Sequence, residues 1–157
     1  MCGIVGVTGN DRSVSILIDG LKRLEYRGYD SAGIYVTDEK GHDYLVKRSG
    51  RISNLEAALT PEVKGLAGIG HTRWATHGVP SETNAHPHYS NDERFYLVHN
   101  GVIENYQQLK EEYLKGVEFK SQTDTEVIVQ LVDKFVVDYK MDTKDALLKV
   151  LRLISPD

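Results

Sequence analysis

The only cysteine in the chain is Cys2, directly behind the initiator methionine. Methionine aminopeptidases remove Met before small second residues, and removal would leave Cys2 with a thiol and a free α-amine. A free thiol titrates near pH ~8.5 and an α-amine near ~7.7–8.0. One residue would then hold a nucleophile and a base suited to near-neutral pH. A nucleophile working with the N-terminal amine is a known form of the nucleophile–base pair. A lone cysteine can equally be an inert core residue, so the other residues of the chain must decide.

Three further stretches carry chemistry. Arg73-Trp74-Ala75-Thr76-His77-Gly78 opens a long loop. Arginine grips carboxylates through two parallel hydrogen bonds, and Trp74 would shield such a pair from water; a surface arginine and a core aromatic are the plainer alternative. His99-Asn100-Gly101 follows a strand-like run. Asn-Gly is a hairpin signal, yet Val102 to Lys115 reads as helix. At a strand-to-helix corner, the Asn100 amide and the Gly101 N–H can converge as an oxyanion hole. Thr123-Asp124-Thr125-Glu126 has the spacing of a capping box. Asp124 there could also accept hydrogen bonds from an ammonium group.

These roles are mutually consistent. Arg73 and Asp124 complement the carboxylate and ammonium of an α-amino acid. A nucleophile placed away from both would reach the side chain, which points to a carboxamide substrate, glutamine before asparagine. The histidines (His71, His77, His86, His88, His99) raise a metal-binding module or a thiol–histidine pair as alternatives, but no acidic or cysteine ligand pattern accompanies them. No metal and no cofactor are expected. Gly68-Ile69-Gly70 lacks the third glycine and the strand–helix context of a dinucleotide loop.

The elements that must position these groups are mixed. Residues 3–8 read as a strand. Val14, Leu17, Ile18, Leu21 and Leu24 follow helical spacing, with Asp11 or Ser13 as cap. Strands are expected at Gly33–Thr37 and Tyr44–Lys47 around the turn Asp38-Glu39-Lys40-Gly41, then at Leu66–His71, Phe95–His99 and Glu118–Ser121. Helices are expected around Ile52–Leu59, Tyr106–Tyr113, Val127–Phe135 and Leu147–Ile154. An α+β architecture built on antiparallel sheet follows. The 157 residues suit one domain, and the net charge of -4 comes without charge blocks. Nucleic-acid and membrane partners are therefore not expected. The chain start shows no signal-peptide pattern and a single cysteine allows no internal disulfide, so the expected compartment is the cytoplasm.

Longer motifs give a resemblance. Met1 to Gly6 (MCGIVG) resembles the start of the class II glutamine amidotransferases, N-terminal-nucleophile hydrolases. Arg23 to Gly33 (RLEYRGYDSAG), His71 to Gly78 (HTRWATHG), Asn84 to His88 (NAHPH), His99 to Tyr106 (HNGVIENY) and Thr123 to Ile128 (TDTEVI) are similar to the branch that makes glucosamine 6-phosphate from glutamine and fructose 6-phosphate. The resemblance implies a four-layer α-β-β-α sandwich of antiparallel sheets. It implies that Cys2, freed of Met1, forms and hydrolyses a γ-glutamyl thioester, releasing ammonia and glutamate. Asn100 and Gly101 would form the oxyanion hole, and Arg27 would stand near the nucleophile. Arg73 would bind the α-carboxylate and Asp124 the α-amine. Trp74, Thr76 and His77 would belong to a loop closing over glutamine. Members of this branch continue into sugar-isomerase domains that accept the ammonia, and the resemblance implies a homodimer at full length. Residues 1–157 then correspond to the glutaminase domain, ending before its expected C-terminus and without the isomerase domains; a catalytically inert fragment is the alternative.

Overall fold

A computed structural model describes residues 2–74 and 78–154. The described residues divide into two compact units, residues 2–87 with 97–100 and residues 88–96 with 101–154.

The first unit is built on a four-stranded antiparallel sheet. Its strands are β1 (Gly3–Val7), β2 (Ser31–Thr37), β3 (Asp43–Ser49) and β4 (Ala67–Arg73), in the order β1-β4-β2-β3. The β2–β3 turn forms because the Asp38 carboxylate accepts the backbone N–H groups of Lys40 and His42, while Gly41 takes a φ of 81°. Helices α1 (Ser13–Leu24) and α2 (Ile52–Ala58) cover one face. Leu17, Ile18 and Leu21 from α1 and Ile52 and Leu55 from α2 join Ala32, Ile34 and Val36 of β2 in the core. Full burial of each Leu or Ile contributes roughly 1.5–3 kcal/mol. Gly68 and Gly70 are the seat of α1: a Cβ on Gly68 would come 2.9 Å from Leu17 Cδ1, and one on Gly70 would come 3.2 Å from Leu21 Cδ1. The Gly-Ile-Gly run thus serves close packing of helix on strand.

The second unit centres on α4 (Thr125–Val137), with α3 (Tyr106–Tyr113), α5 (Thr143–Ile154) and β5 (His88–Tyr89). β5 forms a two-stranded ribbon with β6 (Tyr96–Leu97), of which Tyr96 belongs to this unit. Val127, Ile128, Leu131, Val132 and Phe135 of α4 are buried, as are Leu109 of α3 and Ala146 and Val150 of α5. The Asp142 carboxylate accepts the Asp145 N–H at 2.7 Å at the start of α5.

Four local expectations are corrected. Neither Asp11 nor Ser13 caps α1. Ser13 is its first residue and donates to the Gly65 carbonyl, while the Asn10 side chain accepts the Arg12 N–H. The strand expected at Phe95–His99 shrinks to two residues, because Phe95 is used in a turn against Ser90 and the His99 N–H donates to the His86 ring. No strand forms at Glu118–Ser121: the N–H groups of Lys120 and Ser121 donate to the buried Glu126 carboxylate. The helix expected from Val102 onward begins only at Tyr106.

Candidate active site

Strand parity assembles the chemistry in the first unit. β1 and β4 pair antiparallel with Gly3 opposite Thr72 and Ile4 opposite His71. A Cβ on Gly3 would meet Leu24 of α1 and the Thr72 hydroxyl, so Gly3 and Thr72 face the helices. Side chains alternate along a strand, so Cys2, His71 and Arg73 point from the opposite face. The β1–β4 register therefore fixes which face the thiol uses. Gly3 also explains the Cys-Gly pair: a Cβ there would lie 2.8 Å from Leu24 Cβ.

Cys2 is half-buried. The Trp74 backbone N–H donates to its sulfur at 3.2 Å, and the Trp74 carbonyl lies 3.6 Å away. Asn100 Nδ2 donates to the Cys2 carbonyl oxygen at 3.1 Å. Asn100 Oδ1 lies 2.8 Å from His71 Nε2, which is also 3.2 Å from the His99 carbonyl oxygen. His71 is fully buried, and burial lowers its pKa to about 4 against the raising effect of its bonds to Asn100 and His99. It is neutral at physiological pH. Its ring stacks on His86 at 4.0 Å and 10°.

Arg73 is almost completely buried, and its guanidinium donates to the Val79 carbonyl at 3.3 Å. Asn84 Nδ2 donates to the same oxygen at 2.9 Å. Trp74 is 54% exposed. The surface-charge and core-aromatic alternatives are thus reversed: the cation is buried and the indole is open. Arg27 is half-buried in a single 3-10 turn, Glu25–Arg27, after α1. Thr76 and His77 lie outside the described residues.

In the second unit, Gly101 has a φ of 138°, in the region that favours glycine. Asp124 immediately precedes α4 and is buried, and its Oδ2 accepts the Ile103 N–H at 2.7 Å. It makes no side-chain cap to its own helix. The Thr123–Glu126 pair is no capping box either. Thr123 meets His88 Nε2 at 2.9 Å, and Glu126 gathers Lys120, Ser121 and Gln130.

Residue type alone marks these histidines as possible metal ligands and does not reveal the role of His71 toward Asn100. Among the described residues, no group of three or more His, Cys, Asp or Glu side chains is placed to hold a metal ion. A usable signal was present: His71 and Arg73 sit two apart on one strand and share a face. No helix among the described residues is long and apolar enough to cross a membrane.

The chain is similar to known proteins over nearly its whole length. The glutamine–fructose-6-phosphate aminotransferase (isomerizing) of Lactiplantibacillus plantarum is 66% identical over 155 residues, covering 99% of this chain and 26% of the relative. The protein of the same name from Streptococcus pneumoniae is 59% identical over 154 residues, covering 98% of this chain and 25% of the relative. The chain thus spans about a quarter of the length of these relatives. A solved glutamine phosphoribosylpyrophosphate amidotransferase from B. subtilis, complexed with ADP and GMP, superposes with a TM-score of 0.82 at 28% identity, covering 98% of this chain and 33% of that one. The expected α+β class, of antiparallel sheets with helices, is the observed one, and it is shared with this amidotransferase. The model of the glutamine amidotransferase domain family matches residues 60–142, more than half of the sequence, and the chain belongs to that family.

Proposed function

We propose that this chain hydrolyses glutamine through a thioester on Cys2. The observation that carries the reading is the Asn100 amide, whose Nδ2 donor stands 3.1 Å from the Cys2 carbonyl oxygen, beside the residue whose thiol would attack. After Met1 removal the Cys2 α-amine takes the thiol proton, and the sulfur attacks the side-chain carbonyl carbon of glutamine. The tetrahedral oxyanion accepts hydrogen bonds from Asn100 Nδ2 and the Gly101 N–H. Collapse breaks the C–N bond, the α-ammonium protonates the departing nitrogen, and ammonia leaves. Water, deprotonated by the same amine, then cleaves the thioester to glutamate and regenerates the thiol.

Arg73 is the proposed partner of the substrate α-carboxylate, and its burial supports a strong charge-assisted pair. Asp124 is the proposed partner of the α-ammonium. Trp74, Thr76 and His77 are proposed to cover glutamine, and Arg27 to support the surroundings of the nucleophile. Residues 1–157 are read as one glutaminase domain. Because the named relatives are isomerizing aminotransferases of fructose 6-phosphate, the ammonia is proposed to pass to a sugar-isomerase domain for glucosamine 6-phosphate synthesis, in a cytoplasmic homodimer.

The test is ammonia and glutamate release from glutamine by the chain with Cys2 at its N-terminus, against Cys2→Ser. The parent should turn over glutamine and the variant should lose nearly all activity. Equal release by both would overturn the assignment of the nucleophile.

A further inference from the structure

We propose that His71 is a positioning residue that sets the orientation of the Asn100 amide, so that its N–H donor rather than its oxygen faces the nucleophile. This rests on the glutaminase reading above, since it concerns the oxyanion donor of that reaction.

An asparagine amide has two nearly equal ends, one donating and one accepting. Only the donating end can stabilise an oxyanion, so an amide free to flip would present its oxygen part of the time and repel the developing charge. His71 removes that ambiguity through a chain of elementary constraints. Its Nε2 lies within hydrogen-bond distance of two groups, the His99 carbonyl oxygen at 3.2 Å and the Asn100 amide at 2.8 Å. A backbone carbonyl can only accept, so Nε2 carries the proton. The Asn100 atom facing Nε2 must then be the acceptor, Oδ1, which turns Nδ2 toward Cys2.

The ring itself is held. It is fully buried on β4, with its other nitrogen, Nδ1, buried and making no hydrogen bond to the described residues. His86 lies flat against it, and His86 Nδ1 accepts the His99 N–H at 3.4 Å. The two stacked rings therefore grip both sides of the His99–Asn100 segment, His71 at the carbonyl and the amide, His86 at the N–H. A neutral ring in one tautomer supplies a fixed donor without placing a second cation beside Arg73.

The experiment compares the parent chain with His71→Phe and His71→Gln. Phe keeps a ring to stack on His86 and removes the donor; Gln can restore an N–H. His71→Phe should lower kcat for glutamine roughly 10- to 100-fold, the scale of a misplaced catalytic group, with KM and iodoacetamide labelling of Cys2 little changed. His71→Gln should recover part of kcat. A parent-like kcat in His71→Phe, beside an active parent, would overturn this inference alone. A parent no better than Cys2→Ser would overturn the glutaminase reading and this inference with it. A measurement independent of turnover is 15N NMR of the parent's His71. It should report Nε2 protonated and Nδ1 bare from pH 5 to 8; an Nδ1–H tautomer would overturn the proposal whatever the activity.

Discussion

Gly33 ties the sheet to the site, and Gly33→Ala is a sharp perturbation of both. Gly33 lies opposite His71 across the β2–β4 pairing. A Cβ built on it falls inside contact distance of the His86 carbonyl oxygen, 3.1 Å from the carbonyl carbon and 3.0 Å from Lys47 Cγ. Favourable carbon–carbon separation is ~3.5–4.0 Å. The His86 carbonyl carbon must therefore retreat by roughly half an ångström, and the oxygen by more. Lys47 can yield, but the His86 backbone moves only with the segment that carries its ring. That ring stacks on His71, which holds Asn100. Overpacking of this kind costs about 1–3 kcal/mol, which for a chain of this size lowers Tm by roughly 2–12 °C. The displacement should also lower kcat by up to ~10²-fold. Gly6→Ala is the control, because no atom of the described residues lies within 4 Å of a Cβ there. Circular dichroism melts and ammonia release read the two effects. Gly33→Ala with the Tm and kcat of the parent would refute the packing chain from β2 to Asn100.

Two other outcomes are expected. Arg73→Ala should raise KM for glutamine roughly ten- to a hundredfold, the value of a charge-assisted hydrogen bond of about 1.5–3 kcal/mol, with a smaller effect on kcat; an unaltered KM would remove Arg73 from the carboxylate clamp. Asp133 is raised to about 6 by burial and by the neighbouring Asp92. A carboxyl that holds its proton more tightly when folded loses stability as pH climbs from about 4, its unfolded value, to about 6. Asp133→Asn abolishes that loss. Its melting temperature should gain on the parent across this window, by the equivalent of about 1 kcal/mol because the carboxyl is only partly buried; a gap independent of pH would show the assignment to be wrong.

The elements with strong periodicity were legible. Leu17, Ile18 and Leu21 announced α1, and Asp38 to Gly41 announced the β2–β3 turn through local backbone bonds. What was not legible depends on groups distant in sequence. His99 gives its N–H to the His86 ring instead of extending β6. Lys120 and Ser121 give theirs to Glu126 instead of a neighbouring strand. Ser13 turns to Gly65, 52 positions away, instead of capping its own helix. The site divides in the same way. Cys2, Arg73, Asn100 and Asp124 were singled out by residue type and motif. That Cys2, His71 and Arg73 share one face follows from the β1–β4 register, which a single sequence does not specify. His71 therefore read as a possible metal ligand, whereas its bonds make it a partner of Asn100.

Cys2, with its α-amine free, is the proposed nucleophile toward a glutamine side chain. Mass spectrometry after exposure to a glutamine-derived electrophile tests it most directly, using one sample lacking Met1 and one retaining it. A single adduct, mapped to Cys2, is expected in the sample lacking Met1, and none in the other. An adduct on protein that still carries Met1, or on any other residue, would contradict it.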